Sequence, residues 1–109
     1  MNYQTLLITV EDGIAIIAIN RPDKLNALNT IVIEELGVAV KFVQENDQIF
    51  AAIITGSGQK AFVAGADISG FPALSKEQGV LLSKKGQAVF KLIADSAKPI
   101  IAAVNGFAL

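Results

Sequence analysis

The 109-residue chain contains no cysteine and no histidine. Without cysteine there is no disulfide framework and no thiolate metal site. Without histidine there are no imidazole ligands, and the Ser-His and Cys-His arrangements of covalent catalysis fall away. Charge is scarce as well. Charged residues make up 17% of the chain, and 9 basic against 10 acidic residues leave a net charge of −1. That balance argues against nucleic acid or an anionic membrane surface as the partner. Met1-Asn2-Tyr3-Gln4 lacks the basic region of a signal peptide. No apolar run approaches the roughly 18 residues of a membrane span. The expectation is a soluble, cytoplasmic protein of one domain at most.

What the chain has in excess is apolar residues, at 52%. A small domain has a high surface-to-volume ratio and should need more polar side chains. The chain also closes on Asn105-Gly106-Phe107-Ala108-Leu109, directly after the apolar run Ile100 to Val104. Termini of complete domains are usually polar and loosely held. The expectation is apolar surface to be covered by further sequence, sister subunits, or both.

The local patterns predict an α/β chain. Thr5 to Val10 reads as a strand, Glu11-Asp12-Gly13 as a tight turn and Ile14 to Ile19 as a second strand. Asp-Gly between apolar runs is a hairpin signal, and the unbroken second run predicts burial on both faces. Asn20 to Lys24 breaks the pattern. A helix follows from Asn29 or Thr30, with Val32, Leu36, Ala39 and Val43 on one face. Glu34 and Glu35, like Glu77 further on, read as solvated helix residues. Phe50 to Thr55 is a third strand. Ser75 with Gln78 matches a capping box for a helix to about Ala94, whose apolar stripe is Leu82, Gly86, Val89 and Ile93. Lys98-Pro99 stops it, and Ile100 to Val104 is the last strand. Strands separated by helices predict parallel pairing through crossovers.

Three segments carry chemistry only when taken together. Ala64-Gly65-Ala66-Asp67 is a small-residue corner in which a backbone N–H can face a cleft unobstructed, beside a helix start, and so stabilise negative charge on an oxygen. Singly it is better explained as a tight turn. Asn20-Arg21-Pro22-Asp23-Lys24-Leu25-Asn26-Ala27-Leu28-Asn29 reads as a solvated loop with an asparagine cap, or as a loop presenting Arg21 and Lys24 to an anionic group such as a phosphate. Lys98 to Gly106 reads as a core strand with an Asn-Gly turn, or as a strand delivering a glycine loop to the cleft. Gly56-Ser57-Gly58-Gln59-Lys60-Ala61 fits the loose G-x-G-x-x-A form of dinucleotide binding. That fingerprint needs a helix at its end, whereas Ala61-Phe62-Val63 is β-like.

In this order, Asn-Arg-Pro-x-x-x-Asn-Ala-Leu, Ala-Phe-x-Ala-Gly-Ala-Asp-Ile and Lys-Pro-x-Ile-Ala-Ala-Val-Asn-Gly-x-Ala-Leu are similar to the corresponding segments of the enoyl-CoA hydratase/isomerase (crotonase) family. The resemblance covers essentially the whole chain, but only the N-terminal part of a typical member. It implies a crotonase-like ββα spiral fold, incomplete, with residues 1–109 as an N-terminal segment that stops before the family's glycine triplet. It implies a parent enoyl-CoA hydratase that adds water to a 2-enoyl-CoA while backbone N–H groups hold the thioester enolate. The first such donor falls on Ala66. The second belongs to the glycine triplet.

The resemblance further places the CoA site at Lys24, Leu25, Ala27, Ala64, Ala66, Asp67 and Ile68, and part of the acyl pocket at Ser69 to Leu82. It implies no metal and no redox cofactor, with CoA arriving as part of the substrate. It implies assembly as a trimer or a pair of trimers. The family's acid/base carboxylates lie beyond Leu109, so the chain itself is expected to be catalytically incompetent. The alternatives are an isomerase or other family reaction, or a non-catalytic acyl-CoA-binding piece.

Overall fold

The computed structural model describes residues 2–109, and in it the hairpin opens the chain: β1 (Leu6–Glu11) pairs antiparallel with β2 (Ile14–Ile19). Asp12 and Gly13 both take positive φ, 51° and 80°, as the tightest two-residue hairpin turn requires. A 3₁₀ turn, Pro22–Lys24, leads into α1 (Thr30–Glu45). Then come β3 (Ala51–Gly56), β4 (Ala61–Val63), a second 3₁₀ turn at Phe71–Ala73, and α2 (Lys76–Ala94). The strands β5 (Ile100–Ala102) and β6 (Phe107–Ala108) end the chain. The chain thus runs strand, strand, helix twice, then begins the pattern again. One sheet has the order β1-β2-β3-β5, with β2–β3 and β3–β5 parallel, and β4 with β6 forms a separate parallel pair.

The helix ends are held as their sequences dictate. The Asn29 carboxamide oxygen accepts from the Val32 N–H at 2.9 Å. At α2 the capping box is complete, with Ser75 Oγ accepting from the Gln78 N–H and Gln78 Oε1 accepting from the Ser75 N–H. Lys98 does more than mark the end of α2, which has already stopped at Ala94. Its Nζ donates to the carbonyls of Val43 and Asn46 at 2.6 and 2.8 Å. A cation therefore closes α1 where the helix dipole is negative.

The core lies between the first sheet and α1. Ala15, Ile17 and Ile19 of β2, Ala52 and Ile54 of β3, and Val32, Leu36, Ala39 and Val43 of α1 are all buried. Two expectations fail here, those for β2 and for Glu35. The apolar run of β2 is buried on one face only, because Ile14, Ile16 and Ala18 alternate onto a face that no element of this chain covers fully. The stripe of α2 is half-buried and contributes no buried residue. Glu35 is no solvated helix residue: its carboxylate accepts from Gln4 N–H, Thr5 N–H and Thr5 Oγ1. Burial works against ionisation there, but those three bonds outweigh it and hold the carboxyl below its ordinary range. Large apolar side chains do remain exposed, Phe50 at 68% and Leu81 at 67% among them. No described helix is long and apolar enough to cross a membrane.

Candidate functional site

The Ala64 to Asp67 corner runs beside the loop that precedes α1. The Leu28 N–H donates to the Gly65 carbonyl at 2.9 Å, and the Asp67 N–H donates to the Leu28 carbonyl at 2.8 Å. These are the two rungs of an isolated parallel bridge between Leu28 and Ala66. Every peptide bond among the described residues is trans, so an N–H points opposite to the carbonyl of its own peptide plane. The Gly65 carbonyl faces Leu28, and the Ala66 N–H therefore points away from that loop. Among the described residues it has no hydrogen-bond partner. Gly65 sits at φ +88°, where a side chain would be strained, and this turn of the backbone sets the plane.

Three side chains brace the corner. Asn26 is 1% exposed; its oxygen accepts from the Arg21 N–H, and its Nδ2 donates to the carbonyls of Ser57 and Ala61. It lies 2.7 Å from where a Cβ at Gly56 would stand, so only glycine fits at the end of β3. Asn105 reaches back to the same turn, accepting from the Gly56 N–H and donating to the Gly56 carbonyl. Arg21 donates to the Ala27 carbonyl at 2.5 Å and to Asp67 Oδ2 at 3.1 Å. Sequence reasoning took the loop asparagines as turn and capping residues. Only Asn29 caps, while Asn26 and Asn105 staple separate segments together.

A cavity of about 920 Å³ opens between this corner, the start of α1 and one face of α2. Ala66 and Asp67 line it, with Arg21, Leu28, Phe71, Leu74, Leu82 and Phe90. Asp67 is the one carboxylate among the lining residues. Hydrogen bonds from the Ser69 hydroxyl and N–H, and then from Arg21, bring its pKa down to about 2. Of the two readings of this loop, the one that offers Arg21 to an external anion meets a rival inside the protein, since one guanidinium N–H goes to the Ala27 carbonyl and one to Asp67.

The other residues named from the resemblance, Lys24, Leu25, Ala27, Ala64 and Ile68, surround the corner but do not line the cavity. Lys24 is exposed, Leu25 takes φ 52°, and Ile68 is 66% exposed. The Ala64 N–H donates to the Leu25 carbonyl, which brings the two loops together. Ala27 has both backbone groups engaged, its N–H with the Lys24 carbonyl and its own carbonyl with Arg21. The loop at Gly56 to Ala61 leads into β4 and not into a helix, so the dinucleotide fingerprint lacks its anion site.

Comparison with known proteins identifies the fold and the family. The family model for enoyl-CoA hydratase/isomerase matches residues 9–109. The chain is 45% identical, over its whole length, to a crotonyl-CoA hydratase of Syntrophomonas wolfei, of which it covers 42%. It is 38% identical to a short-chain-enoyl-CoA hydratase of Clostridium acetobutylicum, again covering 42%. The crystal structure of an enoyl-CoA hydratase from Bacillus anthracis superimposes with a TM-score of 0.89 at 28% identity, over 94% of this chain and 40% of that one. The chain thus spans about two-fifths of the length of the relatives it matches. The matched stretch takes in both the loop before α1 and the Ala64 to Asp67 corner, and the chain belongs to the enoyl-CoA hydratase/isomerase (crotonase) family.

Proposed function

We propose that this chain supplies the thioester-holding part of an enoyl-CoA hydratase site. In that reaction the hydroxyl of water bonds to C3 of a 2-enoyl-CoA, the double-bond electrons move onto the thioester oxygen as an enolate, and a proton then bonds to C2. The Ala66 N–H donates to that oxygen. One aimed donor in a dry site contributes about 3–4 kcal/mol to holding such charge. The observation that carries the reading is the Ala66 N–H itself: it has no partner among the described residues, the Leu28 rung fixes its direction, and its residue is one of those lining the cavity. For CoA, the exposed Lys24 ammonium suits a phosphate, Leu25 and the Ala27 methyl offer contact surface, and the Ala64 carbonyl and Ile68 N–H, without partners among the described residues, suit adenine and pantetheine. Trimers or pairs of trimers of the protein are part of the same reading, as is a cytoplasmic location.

The one carboxylate among the described residues lining the cavity is poorly suited to the proton transfer this chemistry needs. A general base works best with a pKa near the working pH. Asp67, the cavity's one carboxylate, stays ionised and engaged down to about pH 2, which makes it a very weak base. This also favours the second reading, a piece that binds acyl-CoA without turning it over. Titration of the ¹⁵N-labelled chain with crotonyl-CoA tests the first claim. The Ala66 amide resonance should move downfield with the thioester and stay put with CoA alone. Binding that moves other amides but leaves Ala66 unchanged would remove the oxyanion role. In a hydration assay the chain should not exceed buffer, and clear turnover would overturn its incompetence.

A further inference from the structure

The Arg21 guanidinium joins two segments instead of forking onto one acid. One amino group donates to the Ala27 carbonyl and the other to Asp67 Oδ2. Both acceptors sit next to the bridge. Ala27 precedes Leu28, and Asp67 follows Ala66 and supplies one of the two rungs. The other Asp67 oxygen accepts from the Ser69 N–H and hydroxyl, so the carboxylate is anchored on both sides. The Arg21 backbone is fixed in turn, its N–H on Asn26 and its carbonyl accepting from the Lys24 and Asn26 N–H groups. The two charged side chains are only 15% and 17% exposed, so water and salt screen them less than a surface pair.

The corner needs such an anchor. The direction of the Ala66 N–H follows from the Gly65 peptide plane, and glycine is the residue that resists rotation of its neighbouring planes least. What stops that rotation is the Leu28 N–H on the Gly65 carbonyl. That rung persists only while the loop stays docked against the corner. We propose that Arg21 is a positioning residue: its two-armed contact with Ala27 and Asp67 keeps Leu28 against the corner and so fixes the angle at which the Ala66 N–H meets its ligand. The inference rests on the reading that this N–H receives a thioester oxygen. Lysine cannot replace arginine here, because one ammonium does not present two coplanar donors to acceptors on separate segments.

The test uses the full chain with Arg21→Lys and with Asp67→Asn, which keeps the side-chain shape should the first variant fold poorly. Glu34→Gln, which breaks the exposed pair with Lys85, serves as control. Hydrogen exchange of the Leu28 and Asp67 amides reads the rungs, and the Ala66 amide shift with saturating crotonyl-CoA reads the donor. Both variants should exchange about tenfold faster at Leu28 and Asp67 and lose about half of the Ala66 shift, with Glu34→Gln unchanged in both. A lowered Tm with unaltered exchange and an unaltered Ala66 response would make the pair a structural brace only. If Ala66 responds in the native chain and equally in both variants, the positioning role alone fails. If Ala66 does not respond in the native chain, the hydratase reading fails, and this inference falls with it.

Discussion

The two helices carry the same kinds of sequence signal and end in different environments. Helix α1 is capped by Asn29 and buries Val32, Ile33, Leu36, Ala39, Val40 and Val43 against the sheet. Helix α2 is longer, has the better cap, and buries none of its 19 residues. Its stripe leans on α1, with Val89 Cγ2 3.3 Å from where a Cβ at Gly37 would lie, and faces the cavity beyond. Capping and periodicity therefore decide that a helix forms and which side is apolar. What that side meets is decided by the rest of the fold. In this chain α1 builds the scaffold, and α2 walls the space a ligand would enter.

The contrast predicts a large difference in stability from one matched pair of truncations. Leu36→Ala removes a fully packed side chain and should cost about 2–5 kcal/mol. Leu82→Ala, on the half-buried stripe of α2, should cost about 1 kcal/mol or less. Urea unfolding of both variants measures the pair. Equal costs would mean that α2 is locked into the core as firmly as α1, and the division into scaffold and wall would be lost.

The two stapling asparagines sharpen the same division on a smaller scale. Asn26 makes three hydrogen bonds in a buried site, whereas Asn105 works at the exposed end of the chain. Asn26→Ala would leave the Arg21 N–H and the Ser57 and Ala61 carbonyls short of a partner, at a cost of about 2–3 kcal/mol. Asn105→Ala should cost about 1 kcal/mol, because water can replace the lost bonds at the surface. Denaturant midpoints compare them, and an Asn105 variant as damaged as the Asn26 one would contradict the ordering.

These staples also mark where the sequence stops being readable. The hairpin, both helix starts, and the strands β2, β3 and β5 follow from local patterns, since their signals lie within a few residues of the structure they cause. The apolar faces Val32-Leu36-Ala39-Val43 and Leu82-Gly86-Val89-Ile93 are on the sides expected of them. The roles of Asn26, Asn105, Arg21 and Lys98 are not local. Asn26 bonds across 31 and 35 residues, Arg21 to Asp67 across 46, and Lys98 to α1 across 52 and 55. Nothing in a periodicity reports such pairs. The strand β6, two residues long, has no pattern of its own and exists by pairing with β4. The corner itself was visible as a motif; the direction of its amide depends on a bridge to a residue 38 positions earlier, a separation given by the numbers of Leu28 and Ala66.

The smallest effect expected separates two carboxylates, one beside each region. Glu35 holds the start of β1 to α1, and Asp67 holds the corner to the loop. Both have folded pKa values below their ordinary ones, Asp67 at about 2 against 3.8. A depressed carboxyl pKa means the unfolded chain binds protons more readily, so each group stabilises the fold above its unfolded pKa. That contribution is lost as pH falls through the folded value. For Asp67 the loss runs from about pH 4 to about pH 2. Asp67→Asn should therefore flatten the acid limb of stability in that window and leave the slope above pH 5 unchanged. Glu35→Gln should weaken the scaffold at neutral pH as well, since its three donors then face a neutral acceptor. Acid titration of the near-ultraviolet signal from Tyr3, which the Glu35 charge reaches, follows the scaffold, while the Ser69 amide resonance follows the corner. If the Ser69 resonance titrates at pH 4 or above in the native chain, Arg21 and Ser69 do not hold Asp67 as described, and the corner is looser than the scaffold beside it.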